Sequence, residues 1–258
     1  MTTPITVTTT PTIRDTRHLS PVTFRNTALV EARKLVDTPS GLSLVAAAVL
    51  LAGVFAGGRA LFPAGDTGLG QLVSMAALPI SWFVMAMAIL LVTGEFTRPA
   101  ASLTFTLNPN RGRVLAAKAT VVVGLALAAI LLSLVVGLLV AVASPPVTGQ
   151  SFPLTLDLTR LGILTGSVLF TALAGFALAL ALRNAPAPLV VLLAWPTVAL
   201  LIGALSEGAA TVIAWVSLEP FYALPGNGHA WLQLATSVAA WILLPGTIGT
   251  WRLLHHDL

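Results

Sequence analysis

The run TVVVGLALAAILLSLVVGLLVAVA, from Thr120 to Ala143, holds 24 residues without a single charge. As an α-helix it crosses the ~30 Å hydrocarbon core of a bilayer, a distance that takes about 20 apolar residues. A large soluble core would be an alternative home for such a helix, but no amphipathic helices remain to wrap that core. Five similar windows flank the run, at about 42–60, 72–93, 161–182, 188–205 and 231–251. Turn- or charge-bearing segments part them: Pro63 to Asp66, Asn108 to Arg113, Ser144 to Pro146, Arg183 to Pro186, and Pro225 to Gly228. The sequence predicts an all-α, polytopic membrane protein with six transmembrane helices, forming one domain over residues 39–258.

Composition agrees. Of 258 residues, 57% are hydrophobic and 9% charged, and the mean hydropathy is +0.95. A soluble domain carries about 25% charged residues to cover its surface. The absence of cysteine excludes disulfides, thiolate metal sites and Cys nucleophiles.

The net charge of +4 and pI near 10.7 would point to nucleic acid in a soluble chain. Here the cations report orientation instead. Eleven of the 13 Lys/Arg lie in the N-terminal segment (Arg14, Arg17, Arg25, Arg33, Lys34), between spans two and three (Arg98, Arg111, Arg113, Lys118), or at Arg183 and Arg252. The other side has Arg59 and Arg160 against Asp66, Asp157, Glu207 and Glu219. The positive-inside rule therefore predicts cytoplasmic N- and C-termini, with the lipid bilayer as partner and no nucleic acid.

Residues 1–20 contain eight threonines and no apolar stretch of signal-peptide type, and read as a disordered cytoplasmic tail. Ser20-Pro21 is a helix-start signal. From there residues 21–38 read as an amphipathic helix in the interface plane, or else a short solvent-exposed helix. Ala28, Leu29, Ala32, Leu35 and Val36 form its apolar face, with Asn26, Thr27, Glu31, Arg33 and Lys34 around the polar one.

Several chemistries are excluded. Lys34 and Lys118 follow Arg33 and Ala117, so neither is the Gly-Lys of a P-loop. No HExxH occurs, and His255-His256 reads as a solvated tail; no metal, cofactor or catalytic residue is expected in this chain. Gly166-Ser167 lies in the fourth span, but no span holds a histidine to activate the serine. No charge sits at mid-span, where ion-coupled carriers place ionisable groups. An energy source is expected in another polypeptide.

Gly53-xxx-Gly57 and Gly162-xxx-Gly166 allow close helix contacts, more in the manner of ordinary packing than of a dimer motif. Pro79, Pro196 and Pro245 interrupt spans two, five and six. Trp82, Trp195 and Trp241 fall near mid-span and either line a pathway or fill gaps. Ser81, Thr171, Thr197 and Thr236, scattered along the spans, fit amphipathic or lipid-like cargo such as a drug or hydrophobic peptide. Ala209 to Val216, apolar but too short to span, reads as a re-entrant or interfacial element, with a plain outer loop as the alternative.

Between spans two and three stand Gly94-Glu95, then Arg98-Pro99-Ala100, then Leu103 and Leu107 on one face of a short helix with Thr104 and Thr106 flanking them. Asn108-Pro109-Asn110-Arg111 and Lys118 follow. Such a helix is a handle for a soluble partner.

This loop resembles that of the membrane subunits of ATP-binding cassette exporters of the type-2 permease family. Those subunits have Gly-Glu at the end of the second span, a short helix, Pro-x-Arg, and Lys entering the third. Where that family commonly has Gly-Thr, this chain has Pro99-Ala100. The wider resemblance covers about residues 21–252. It implies a multi-pass protein of a bacterial plasma membrane, the permease subunit of an exporter. It also implies pairing with a second permease subunit (itself or a homologue) and with cytoplasmic ATPase subunits that hold ATP and Mg. On that resemblance Arg98, Leu103, Phe105 and Thr106 would dock the ATPase, and Glu95 and Arg111 would brace the loop. A stand-alone carrier or channel, and an immunity or sensor protein without transport, use the same spans and remain alternatives.

Overall fold

The computed structural model describes residues 23–255 apart from 64, 66, 95–110 and 227. Among these, every regular element is helical, and six helices are long and apolar enough to cross a membrane.

Helix α1 (Phe24–Val36) starts at Thr23, whose Oγ1 accepts the Asn26 N–H at 3.3 Å. The expected Ser20-Pro21 start lies outside the described residues. Helix α2 (Pro39–Leu61) follows at once, with Thr38 as cap and Pro39 in the first turn. The turn between them needs glycine at position 41, because a Cβ there would fall 1.6 Å from the Leu35 carbonyl oxygen.

The remaining spans are α3 (Leu69–Thr93), α4 (Arg111–Ala143), α5 (Leu158–Leu182) and α6 (Pro186–Gly203). The sixth is composite: α8 (Ala230–Val238), a π-helical turn (Ala239–Leu243), and α9 (Leu244–His255). The wide turn lies directly before Pro245, which has no N–H to give and whose ring would crowd a regular α-turn, so the chain opens the turn there. Between α6 and α8 stands the short helix α7 (Glu207–Ala214), capped by Ser206, and a 3₁₀ turn at Pro220–Ala223.

Helices α3 and α5 are the most buried spans and α6 the least. Three glycines set the closest crossings. A Cβ at Gly137 of α4 would lie 2.9 Å from the Val73 backbone nitrogen of α3. At Gly175 of α5 it would lie 3.0 Å from Met85 Cγ, and at Gly249 of α9, 2.6 Å from the Leu180 carbonyl carbon. Small residues bring helix backbones together where no hydrophobic drive operates between lipid and helix. Gly53, Gly57 and Gly162 face open space instead. Outward-facing Leu131, Val135, Leu139, Val190 and Leu200 remain exposed, as a lipid-facing surface requires.

One end of the bundle carries α1, the close of α3, the start of α4, Arg183 and Arg252; we call it the basic end. Arg59, Asp157, Arg160, Glu207 and Glu219 mark the opposite end.

Candidate functional site

At the basic end, α1, α3 and α4 meet around a buried ion pair. Lys118, two turns into α4, donates from Nζ to Glu31 Oε2 at 2.5 Å and to the Leu91 carbonyl of α3 at 2.9 Å. Lys34 donates to Glu31 Oε1 at 2.6 Å. Glu31 and Lys118 are only 2% and 3% exposed, and Ala28, Ala32 and Leu35 of the same helix pack into the hydrophobic core.

The polar-face position expected for Glu31 is therefore corrected: it points into the bundle, while Leu29, expected on the apolar face, is exposed. The cause is long-range. Lys118 is the buried cation of α4 and needs a counter-charge, and Glu31 supplies it. The spacing Ala28, Glu31, Ala32, Leu35 is a helix face in its own right, with alanines small enough to let a carboxylate through. That was the available signal.

Burial alone would push the Glu31 carboxyl up. The charges and hydrogen bonds of Lys118 and Lys34 outweigh burial and hold it below the ordinary value.

This pair sits at the base of the loop between α3 and α4. Glu95, Arg98, Leu103, Phe105 and Thr106 lie outside the described residues. Arg111 opens α4, and its side chain lies outside them too. Helix α4 begins nine residues before the expected span at Thr120, so a rigid rod carries Lys118 and Arg113 out of the apolar run.

Of the three tryptophans, the structure brings two together. Trp195 of α6 and Trp241 of the π-helical turn meet edge to face with centroids 5.1 Å apart. Trp82 is half exposed on α3. Trp241 Nε1 donates to the Val216 carbonyl at 2.9 Å, and Thr236 Oγ1 to the Trp215 carbonyl at 2.7 Å. Trp241 stands halfway along the sixth span (Ala230–Leu253), so the segment after α7 reaches the middle level of the bundle. Its freed carbonyls are satisfied by a neighbouring span, the condition for irregular backbone at that depth.

A cavity of about 580 Å³ opens between α6 and α7, walled by Pro196, Leu200, Ile213 and Leu218 and bordered by Trp195 and Glu219. Farther along, the Phe221 ring seats on Gly166 of α5, where a Cβ would fall 2.4 Å from it, and meets Phe170 edge-on at 6.4 Å. Gly166 thus receives a side chain of the Pro220–Ala223 turn rather than a second helix. Among the described residues no three His, Asp or Glu side chains group to hold a metal ion.

Compared with protein-family models, curated proteins and solved structures, the chain matches none.

Proposed function

We propose that this protein is the membrane-spanning subunit of an ATP-driven exporter, with both termini in the cytoplasm, working with a second permease subunit and separate cytoplasmic ATPases. The observation that carries the reading is the Glu31–Lys118–Leu91 junction. It ties α1 and α4 to the end of α3 where the 95–110 loop leaves and returns. A push on that loop would be transmitted to three helices at once, since a desolvated ion pair resists local yielding.

Two further features support a transport role powered from outside the chain. No ionisable residue lies at mid-span to bind a coupling proton. The α6–α7 cavity has the size and apolar walls of a site for a drug-sized amphipathic molecule. ATP and Mg would be held by the partner, and binding there would bias two conformations of the spans.

The test is to isolate the protein from its native membrane in mild detergent and identify any retained ATPase with a P-loop. Arg98→Glu is expected to lower that retention and the export of cargo while leaving membrane insertion unchanged. Unchanged export would refute docking through the loop.

A further inference from the structure

Between α3 and α5 the helices part around a half-open cavity of about 40 Å³. Four hydroxyl residues face it, Ser74 and Ser81 from α3 and Ser167 and Thr171 from α5, with Glu219 and Tyr222 at its outer mouth. The two helices run in the same direction, as the meetings of Gly70 with Arg160 and of Gly175 with Met85 and Ile89 show. The hydroxyls therefore form a ladder. It descends from Ser74 near the outer end to Ser81 and Thr171, which stand at the midpoints of Leu69–Thr93 and Leu158–Leu182.

Where the protons of these hydroxyls go decides what the cavity attracts. Ser74 Oγ donates to the Gly70 carbonyl at 2.8 Å and Ser81 Oγ to the Leu78 carbonyl at 2.7 Å. Thr171 Oγ1 donates to the Ser167 carbonyl at 2.9 Å. Each of the three turns its proton back onto its own helix and keeps its lone pairs as acceptors. Ser167 is 8% exposed, and its Oγ makes no hydrogen bond of ordinary geometry, with only the Tyr222 hydroxyl as a weak partner. A buried hydroxyl left in that state is costly unless something fills the space before it.

At the mouth, Glu219 has no salt-bridge partner among the described residues. The phenol of Tyr222 is pushed above its ordinary value, first by burial and then by the charge of Glu219, with Arg160 opposing. Arg160 packs over Gly70 at the outer rim, with Nη1 3.4 Å from where a Cβ would stand. Its repulsion of other cations falls on the mouth, not on the Ser81–Thr171 floor.

The cavity is thus rich in acceptors, entered past a carboxylate, and too small for an organic ligand, a single water taking about 30 Å³. Hard cations are the species that oxygen-only sites of this size receive. A divalent ion asks for several carboxylates, and one stands here. We propose that this cavity binds a small monovalent cation of the sodium class, held by the Ser167 and Thr171 hydroxyls with Ser81 and water, and drawn in by Glu219. The site does not rest on the exporter reading, and a structural ion there leaves the energy source with the partner ATPase.

The test uses the full-length protein in detergent, unfolded by heat and followed by tryptophan fluorescence, in sodium, potassium, lithium or choline chloride at equal ionic strength. A ligand that binds the folded state raises the midpoint in a saturable way, so sodium is expected to exceed choline. Ser167→Ala and Thr171→Val are each expected to raise the half-saturating sodium concentration roughly tenfold, the change that loss of one metal-site partner makes. Glu219→Gln, at an exposed position, is expected to weaken sodium binding several-fold, and it decides the matter if either cavity variant does not fold. Equal midpoints in sodium and choline would mean the cavity holds water only, and would overturn the proposal. Wild-type sodium dependence in all three variants would overturn it as well, by placing the cation elsewhere.

Discussion

Replacing Glu31 with alanine tests the junction at the basic end most directly. Lys118 Nζ would lose a carboxylate at 2.5 Å and keep the Leu91 carbonyl at 2.9 Å, in a position 3% exposed. Breaking a buried pair by removing one partner costs about 3–5 kcal/mol, because the remaining charge stays desolvated. At 1.36 kcal/mol per decade, the folded-to-unfolded ratio would fall by more than about a hundredfold. Lys118→Met is expected to cost less, about 1–3 kcal/mol, since Lys34 still holds Glu31 Oε1 at 2.6 Å.

The double variant Glu31→Ala/Lys118→Met removes both charges and is expected to be more stable than Glu31→Ala alone. The assay is equilibrium unfolding in mixed detergent micelles, followed by circular dichroism. Additivity of the two single changes within about 0.5 kcal/mol would refute a coupled pair. Acid gives an independent check. The folded Glu31 carboxyl titrates below its ordinary value of 4.5, so the stability it lends is complete above about pH 4.5. That stability is lost as pH falls through the lower, folded value. Glu31→Ala is expected to remove this acid-sensitive component and to flatten the stability profile below pH 4.5.

Gly166→Leu would drive a side chain into the Phe221 ring, already 2.4 Å from an added Cβ, at about 1–3 kcal/mol in thermal stability; Phe221→Ala is expected to recover part of the loss. Trp241→Phe leaves the Val216 carbonyl without its donor at mid-bundle and is expected to cost about 1–3 kcal/mol, read as faster proteolysis near residues 207–223.

Hydropathy made the six spans legible because lipid imposes one rule on every residue that faces it. The same window marks the apolar run of the third span and not the start of its helix. Arg113 and Lys118 lower the hydropathy average without interrupting the helix, so the apolar run ends where the rod does not. The apolar segment 209–216 was rightly set apart as too short to span, and it forms most of α7 (Glu207–Ala214). Its hold on the sixth span was not readable, since a Trp-to-carbonyl bond across 25 residues leaves no local pattern. Glu31 was assigned to the wrong face for the same reason. A charge on a short amphipathic helix is normally solvated, and only the position of Lys118 in space reverses that.

The distance in sequence between Glu31 and Lys118 also sets an order of events during synthesis. The two are 87 residues apart. At 5–20 residues per second, Glu31 leaves the ribosome roughly 4–17 s before its partner. In that interval α1 has no counter-charge from α4, so its docked position is settled only when the third span arrives. Helix α1 leaves the ribosome before α2 and α3 and is fixed only once α4 has followed them.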